Sequence, residues 1–527
     1  MPSCRDIRKA WCWIAALGLA CGVSQLPAAE QAMSNQSATD TIDSGVYYEI
    51  FVRAFDDSNG DGIGDLNGIT ARLDYLQSLG ISGLWLMPIN PSPSYHGYDV
   101  TDYYGINPQY GNMADFKRLL DEAHKRHIKV IIDLVINHSS NQHPWFIAAN
   151  RPGDPHHDWY SWATPKTDLQ AMSATDSPAW HETPDGAHYL GVFTGAMPDL
   201  NYDTPAVRAE MIKLGRYWLN LGVDGFRLDA AQHIYWDFKS QQHDPAILKK
   251  NLAWWSQFRH GIDAVKPDAY VIGEVTRDGP EELAPYFKPL SAVFDFPLAK
   301  QLIASANDER AGDLGALLTR TELAYRKATG KSGVDSPFLS NHDQERVMSQ
   351  LSGNAQHMRM AAAMLLTLPG HPFVYYGEEL GMRGEKPDEN LREPMRWHRN
   401  DHGDGETRWK SFSAGDDPTV SVDAEQADTD SLLSFYRRLI GWRKQVSALR
   451  DGALRNYPLA DPRLAAWELR DAHTDVLVVH NLSGTTRSIE LPRDEHRFGT
   501  VLLQSTTGAT IDRGKLQLPA YSSVILH

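Results

Sequence analysis

The sequence has no cysteine after residue 21: all three, Cys4, Cys12 and Cys21, fall at its beginning. Beyond that point a disulfide, a thiol nucleophile and a thiolate metal site are excluded. Positive charge is also scarce. The formal net charge is -16 at pH 7, which argues against a nucleic-acid partner and for a neutral or cationic small molecule or a neutral polymer. Long apolar runs are absent apart from residues 11–23. Arg5, Arg8 and Lys9 precede that run, and Pro27-Ala28-Ala29 follows it before Glu30. This layout predicts a secretory signal peptide over 1–29, and the run is too short for a comfortable membrane span. Export to the periplasm or the medium is the expected destination. Leu17-Gly18-Leu19-Ala20-Cys21 resembles a lipoprotein cleavage box, with Gly18 where such boxes want an aliphatic residue, so a lipid anchor at Cys21 is a variant of that destination. Residues 30–45, rich in Ser, Thr, Gln and Asp, read as a flexible lead-in.

What the chain has is length, apolar content and a regular alternation. Its 527 residues, 42% of them hydrophobic, suffice for two or three domains. Apolar strands are expected at 46–55, 83–88, 129–137, 225–231, 269–275, 292–297, 337–341 and 372–377. Helical spacing is expected at 69–79, 114–127, 205–221, 252–265, 314–327, 358–368 and 432–444. Apolar strands that alternate with helices mean a parallel sheet covered on both faces. Eight such units over about 400 residues predict an α/β fold, a (β/α)8 TIM barrel formed by 46–138 and 201–448. The alternation breaks at 139–200, where Gly, Pro, His and Trp crowd together, so an irregular insertion after strand three is expected there. After residue 448 the period becomes two, and 449–527 reads as a C-terminal antiparallel β-sandwich domain.

The chemistry gathers where the strands end. Gly225-Phe226-Arg227-Leu228-Asp229 places Arg227 and Asp229 on one face of a strand. The Arg would keep the Asp ionised. An isolated Arg-x-Asp is usually a structural ion pair, but this one has company. Strand three ends in Asp133-Leu134-Val135-Ile136-Asn137-His138, strand five in Gly273-Glu274-Val275, and strand seven in Asn341-His342-Asp343. In a (β/α)8 barrel these ends share one mouth, which is where catalytic groups sit. Carboxylates in different environments beside many aromatic side chains suggest glycoside hydrolysis.

These same blocks, in this order, resemble the conserved blocks of the α-amylase family, glycoside hydrolase family 13. Met197-Pro198-Asp199-Leu200-Asn201 resembles a further short block, and Gly370-His371-Pro372 through Glu378 resembles the last barrel strand. The resemblance implies roles. Asp229 would be the nucleophile, Glu274 the acid and then the base, and Asp343 the stabiliser of the oxocarbenium-like transition state. Arg227 would orient Asp229, His138 and His342 would hydrogen-bond the sugar at the scissile bond, and Tyr98 would stack on it. The Met-Pro-Asp-Leu-Asn block is similar to that of exported α-amylases intermediate between oligo-1,6-glucosidases and neopullulanases.

One loop suggests a metal. Asp57-Ser58-Asn59-Gly60-Asp61-Gly62-Ile63-Gly64-Asp65 carries oxygen donors at alternate positions with glycines between them, a pattern that can wrap Ca²⁺. Gly68 stands where an EF-hand needs its bidentate Glu, so the loop is not one. Asp57, Asn59, Asp61, Asp65 and the Ile63 carbonyl are the expected ligands of a structural calcium. The resemblance also implies a second calcium at Asn137, Asp199 and the His233 carbonyl, although Asn137 and Asp199 occur in relatives that lack this ion. The expected substrate is an α-1,4-glucan or maltooligosaccharide, cleaved by a monomer. Tyr95, where exo-acting α-glucosidases of the family carry Asp, favours internal cleavage. Gln232, where many α-amylases carry Lys, leaves an α-glucosidase or a transglucosidase as the alternative. A non-catalytic sugar-binding protein on this fold would generally lack one of the three carboxylates.

Overall fold

The computed structural model describes residues 45–151, 153–330, 335–399, 403–413, 417–492 and 497–527. The expected signal peptide, Cys21 and the lead-in up to residue 44 lie outside the described residues. Seven parallel strands form one sheet. In spatial order they are Ala292–Val293, Tyr270–Gly273, Gly225–Leu228, Lys129–Leu134, Gly83–Leu86, Tyr47–Ile50 and Phe373–Tyr375. The gap between the two ends is filled by 336–341. Ser336 bridges Phe294 in parallel, and Pro337 accepts a hydrogen bond from the Phe373 amide at 2.9 Å. The sheet thereby closes on itself as a (β/α)8 barrel. The seventh strand is thus reduced to an extended segment with a single ladder bridge.

Alternation along each strand decides which side chains enter the barrel. Tyr47, Trp85, Ile131, Tyr270, Phe294, Phe338 and Phe373 point inward and pack as one buried cluster. Tyr48, Leu84, Ile132 and Phe226, one step along, join the larger core under the helices. Glycines permit two close approaches in the inner layer, one to an aromatic ring and one to a neighbouring strand's backbone. A Cβ on Gly83 would lie 2.3 Å from the Tyr47 ring, and one on Gly225 would lie 1.8 Å from the Tyr270 carbonyl oxygen. Two residues further along the same inward rows come Glu49, Asp133 and Arg227. The period that fills the barrel with aromatics therefore also brings charge to its mouth.

Several local expectations change. The strand expected at 292–297 is only Ala292–Val293, and Phe296 already opens the helix Phe296–Asn307. The strand expected at 46–55 ends at Ile50 and turns into the short helix Val52–Phe55. The helix expected at 69–79 is two helices, Leu66–Ala71 and Leu73–Leu79, that meet at Arg72. Arg72 leaves the helical register while its side chain pairs with Asp56 and lies 4.1 Å over the Trp397 ring. The eighth strand, expected over 372–377, is only Phe373–Tyr375.

Among the described residues between 139 and 200, the regular elements are the helix Pro144–Ala149, a helical turn and the hairpin Trp180–Glu182 with His188–Leu190. Phe146, Tyr160, Trp162 and Tyr189 pack together in this region. Both ends return to strand three. The Ser139 amide donates to Pro198 at 3.1 Å, and the Leu200 amide donates to Asn137 at 3.0 Å. The excursion is therefore pinned at the barrel mouth.

The C-terminal part has two antiparallel sheets. One has five strands: Ala453–Asn456, Leu464–Arg470, Asp475–Asn481, Ser522–Leu526 and Val501–Gln504. The other has three: Arg487–Glu490, Lys515–Leu518 and Thr510–Asp512. Leu464, Ala466, Leu477 and Val479 face the second sheet across a shared apolar cluster with Leu516 and Leu518. Ala465, Trp467 and Val478, on the opposite face, join the barrel core. Among the described residues no helix is long and apolar enough to cross a membrane.

Candidate active site

Arg227 lies at the centre of the barrel mouth, its side chain 1% exposed. Strand pairing sets Asp133 opposite Arg227. The guanidinium Nη1 donates to both Asp133 oxygens (2.9 and 3.1 Å) and to Asp229 Oδ1 (2.7 Å). Nη2 lies 2.8 Å from Glu274 Oε2. One cation therefore holds three carboxylates from three adjacent strands. It also packs over the Trp85 ring, 5.1 Å from its centroid. The Ala230 amide, directly after Asp229, donates to the same Glu274 oxygen at 3.0 Å. Ala230 has φ +47°, a left-handed turn that ends the strand and aims this amide across the mouth.

The electrostatics differ from the simple expectation that Arg227 keeps Asp229 ionised. Burial pushes the Asp229 carboxyl up, and Arg227 only partly offsets it, because its charge is divided among three partners. Burial also raises Glu274. Arg227 pulls it back, and the like charges of Asp229 and Asp343 add to the rise. The general-acid candidate thus shares the same cation as the nucleophile candidate. Its proton is favoured by burial and by neighbouring anions. Asp133 is pushed up to about 7, first by burial.

Asp343 approaches from the seventh segment. Its Oδ1 accepts from Arg392 (2.8 Å) and its Oδ2 lies 3.0 Å from His342 Nε2. Burial works against its ionisation, but His342 and Arg392 outweigh it and hold the carboxyl well below the usual range. Tyr98 lies nearly parallel to His342, with centroids 5.6 Å apart. Its hydroxyl donates to Asp133 Oδ2 at 3.1 Å and lies 2.7 Å from His342 Nε2. His138 donates from Nε2 to the Tyr98 carbonyl at 3.2 Å, and burial lowers its pKa to about 4, so the ring is neutral.

A cavity of about 260 Å³ opens over this constellation and is lined by Asp229, Glu274, Asp343, Tyr98 and His138. Arg227 and His342 lie one layer beneath, with side chains 1% and 0% exposed. Sequence reasoning missed other lining residues: Phe193 and Met197 from the insertion, His96, and Asp388 with Arg392 from beyond the eighth strand. Phe193 packs against both His138 and His233, 5.3 and 5.6 Å between centroids. Of these, Met197 opens the Met-Pro-Asp-Leu-Asn block and His96 stands two residues before Tyr98, whereas nothing in the sequence marked Phe193, Asp388 or Arg392. A larger cavity, about 460 Å³, lies between the helix Leu314–Thr329 and the C-terminal strands, and no pair of carboxylates lines it.

The loop 57–65 is wrapped around its own side chains. Asp57 accepts from the amides of Asn59, Gly60 and Gly62 (3.1, 2.7 and 2.7 Å). Asn59 accepts from Asp61, and Asp61 from Ile63. Asp65 accepts from Ser58 and from the Gly68 amide, and so caps the helix Leu66–Ala71. Among the described residues no group of three or more His, Cys, Asp or Glu forms a metal cage. The donors are nevertheless all oxygens at alternate positions, and each carboxylate keeps lone pairs beyond those its amide partners use, which fits a hard cation. Asn137 and Asp199 are joined at 3.2 Å and buried, and burial pushes the Asp199 carboxyl well up.

Comparison with known proteins agrees with this geometry. Residues 49–452 match the family described as alpha amylase, catalytic domain, and 464–525 match the alpha-amylase SusG C-terminal domain. The chain is 39% identical over 488 residues to alpha-amylase 3 of Dictyoglomus thermophilum, covering 92% of this chain and 93% of that one. It is 34% identical to a 4-alpha-glucanotransferase of Thermotoga neapolitana, over 83% and 95% of the two chains. The crystal structure of an alpha-amylase from H. orenii superposes with a TM-score of 0.84 at 43% identity, over 92% and 99% of the two chains. The chain belongs to the α-amylase family, glycoside hydrolase family 13, and is a glycoside hydrolase of that family.

Proposed function

We propose that this enzyme is an α-amylase that cleaves α-1,4-glucosidic bonds in starch, maltodextrins or maltooligosaccharides and retains the anomeric configuration. The observation that carries this reading is the sharing of Arg227 by Asp229 and Glu274 beneath a cavity that Asp343 also lines. In the first step Asp229 attacks the anomeric carbon, while Glu274 gives its proton to the leaving glycosidic oxygen. A β-glycosyl-enzyme forms. In the second step Glu274 takes a proton from water, which displaces Asp229 from the sugar. Asp343, held ionised by His342 and Arg392, stabilises the positive charge that develops on the sugar ring. Tyr98 supplies the apolar floor against which the sugar lies, and Arg227 fixes Asp229 from below. His138 and His342 belong to the same substrate-binding set, His138 at the cavity wall and His342 beneath it.

A structural calcium in the loop 57–65 belongs to this reading, held by Asp57, Asn59, Asp61, Asp65 and the Ile63 carbonyl. It would supply positive charge to three carboxylates and pin the loop next to strand one. A second calcium, at Asn137, Asp199 and the His233 carbonyl, would compensate a buried carboxyl. Export through the leader 1–29, a monomeric state, an inserted domain at 139–200 and a C-terminal β-sandwich at 449–527 complete it.

The similarity to a 4-alpha-glucanotransferase favours one competing reading, a transglucosidase. An α-glucosidase is the other alternative. A timed product profile on maltoheptaose decides between them. An endo-acting amylase gives mixed short products from the first minutes. Glucose alone from the chain end would sink the endo reading, and products longer than the substrate would mark a transferase.

A further inference from the structure

Glu49 has no part in the mechanism above, yet it is the one carboxylate that the first barrel strand sends into the mouth. It follows Tyr47 on the inward row of Tyr47–Ile50 and is 1% exposed. Its Oε1 lies 2.6 Å from His342 Nδ1, a buried contact between residues 293 positions apart. The opposite nitrogen of that ring, Nε2, lies 3.0 Å from Asp343 Oδ2 and 2.7 Å from the Tyr98 hydroxyl. We propose that Glu49 is a positioning residue of the active site: by accepting from His342 Nδ1 it makes the ring a fixed donor to Asp343, which keeps Asp343 ionised and in place. This rests on the reading of Asp343 as the carboxylate that stabilises the transition state.

A buried imidazole between two carboxylates satisfies both only with two N–H groups, that is, as imidazolium. The groups facing the ring are Asp343 on its own segment, Glu49 on the first strand and Tyr98 on the loop after the second strand. Arg392 donates to the His342 carbonyl at 3.0 Å, Trp85 packs edge-on, and Asp133 and Arg227 lie beyond Tyr98. Burial opposes the imidazolium, but Asp343 and Glu49 push the pKa up to about 9. Burial raises Glu49 in turn, and His342 is the main charge that offsets it. With a neutral residue at 49 the ring could keep its single proton on Nδ1. Nε2 would then turn a lone pair toward Asp343, and the carboxylate would lose one of its two fixed donors. Both ring nitrogens of His342 face protein partners, so beside its place in the substrate-binding set the ring acts through Asp343.

The test is Glu49→Gln, which keeps the shape and removes the charge, read beside Asp343→Asn. In the native enzyme, nitrogen chemical shifts should show His342 doubly protonated at pH 7. In Glu49→Gln its pKa should fall by about one unit or more. The kcat should fall about tenfold while KM changes by less than about threefold. The loss should shrink as pH is lowered, because acid restores the imidazolium. A purely structural role would not be rescued by pH. A neutral His342 in the native enzyme at pH 7 overturns the proposal even if the variant fails to fold. So does a Glu49→Gln enzyme with native kcat while Asp343→Asn is inactive, and that outcome leaves the function proposed above standing. A fully active Asp343→Asn enzyme would instead remove the role assigned to Asp343, and this proposal with it.

Discussion

Arg227→Met removes the one cation shared by Asp133, Asp229 and Glu274 and keeps an unbranched apolar stem in its place. Four contacts of 2.7–3.1 Å disappear at a site 1% exposed. Losing one partner of a buried ion pair costs about 3–5 kcal/mol when the other charge stays buried. Here the other charges can be neutralised by protons, so the cost depends on pH. Burial already raises all three carboxyls in the native enzyme, Asp133 to about 7, and without Arg227 they rise further. Groups raised in the folded state bind protons that the unfolded chain, titrating near 4, has released. Stability therefore falls as pH rises through the folded values. The variant should lose about 3–5 kcal/mol at pH 8 and less at pH 5, where proton uptake by the raised carboxyls offsets part of the cost. Guanidinium unfolding curves at the two pH values, followed by tryptophan fluorescence, measure the difference. An equal loss at both, or a loss below about 1 kcal/mol at pH 8, would refute the view that Arg227 is the charge partner of this cluster. Hydrolysis should be lost at either pH, because Asp229 would no longer be held.

Asp229→Asn should lower hydrolysis by about a thousandfold or more, while the thermal unfolding temperature stays at or above the native value, since a buried carboxylate has been removed. Native activity in that variant would contradict the double-displacement mechanism. Chelation of calcium should lower the unfolding temperature by several degrees, and added Ca²⁺ should restore it. An unchanged temperature after exhaustive chelation would count against a metal in the loop 57–65.

Much of the fold was legible because it follows from periodicity. The apolar runs at 83–86, 129–134 and 225–228 are strands, and the alternation of Ile131 with Asp133, or of Gly225 with Arg227, is the alternation that puts both on the barrel's inner face. Strand ends that carry Arg227, Asp229, Glu274 and Asp343 marked the mouth for the same reason. The failures are equally local in origin. The strand expected through Phe55 stops at Ile50 because tertiary packing turns 52–55 back under Trp397, whose indole donates to the Phe55 carbonyl at 2.6 Å. The seventh strand has the right composition but only one bridge, since its neighbours are themselves short.

The sequence by itself determined the barrel, the strand ends that carry the carboxylates and the family. Each of these is written in spacing within a few residues, and local spacing sets which face a side chain takes. Only the tertiary structure decided how the charges are shared. That one guanidinium serves three carboxylates, that Glu49 reaches His342 across 293 residues, and that Phe193 and Arg392 line the cavity all depend on closing the barrel. Closure joins strands distant in the chain, and a pKa depends on distance and burial in space. No periodicity in the sequence records either.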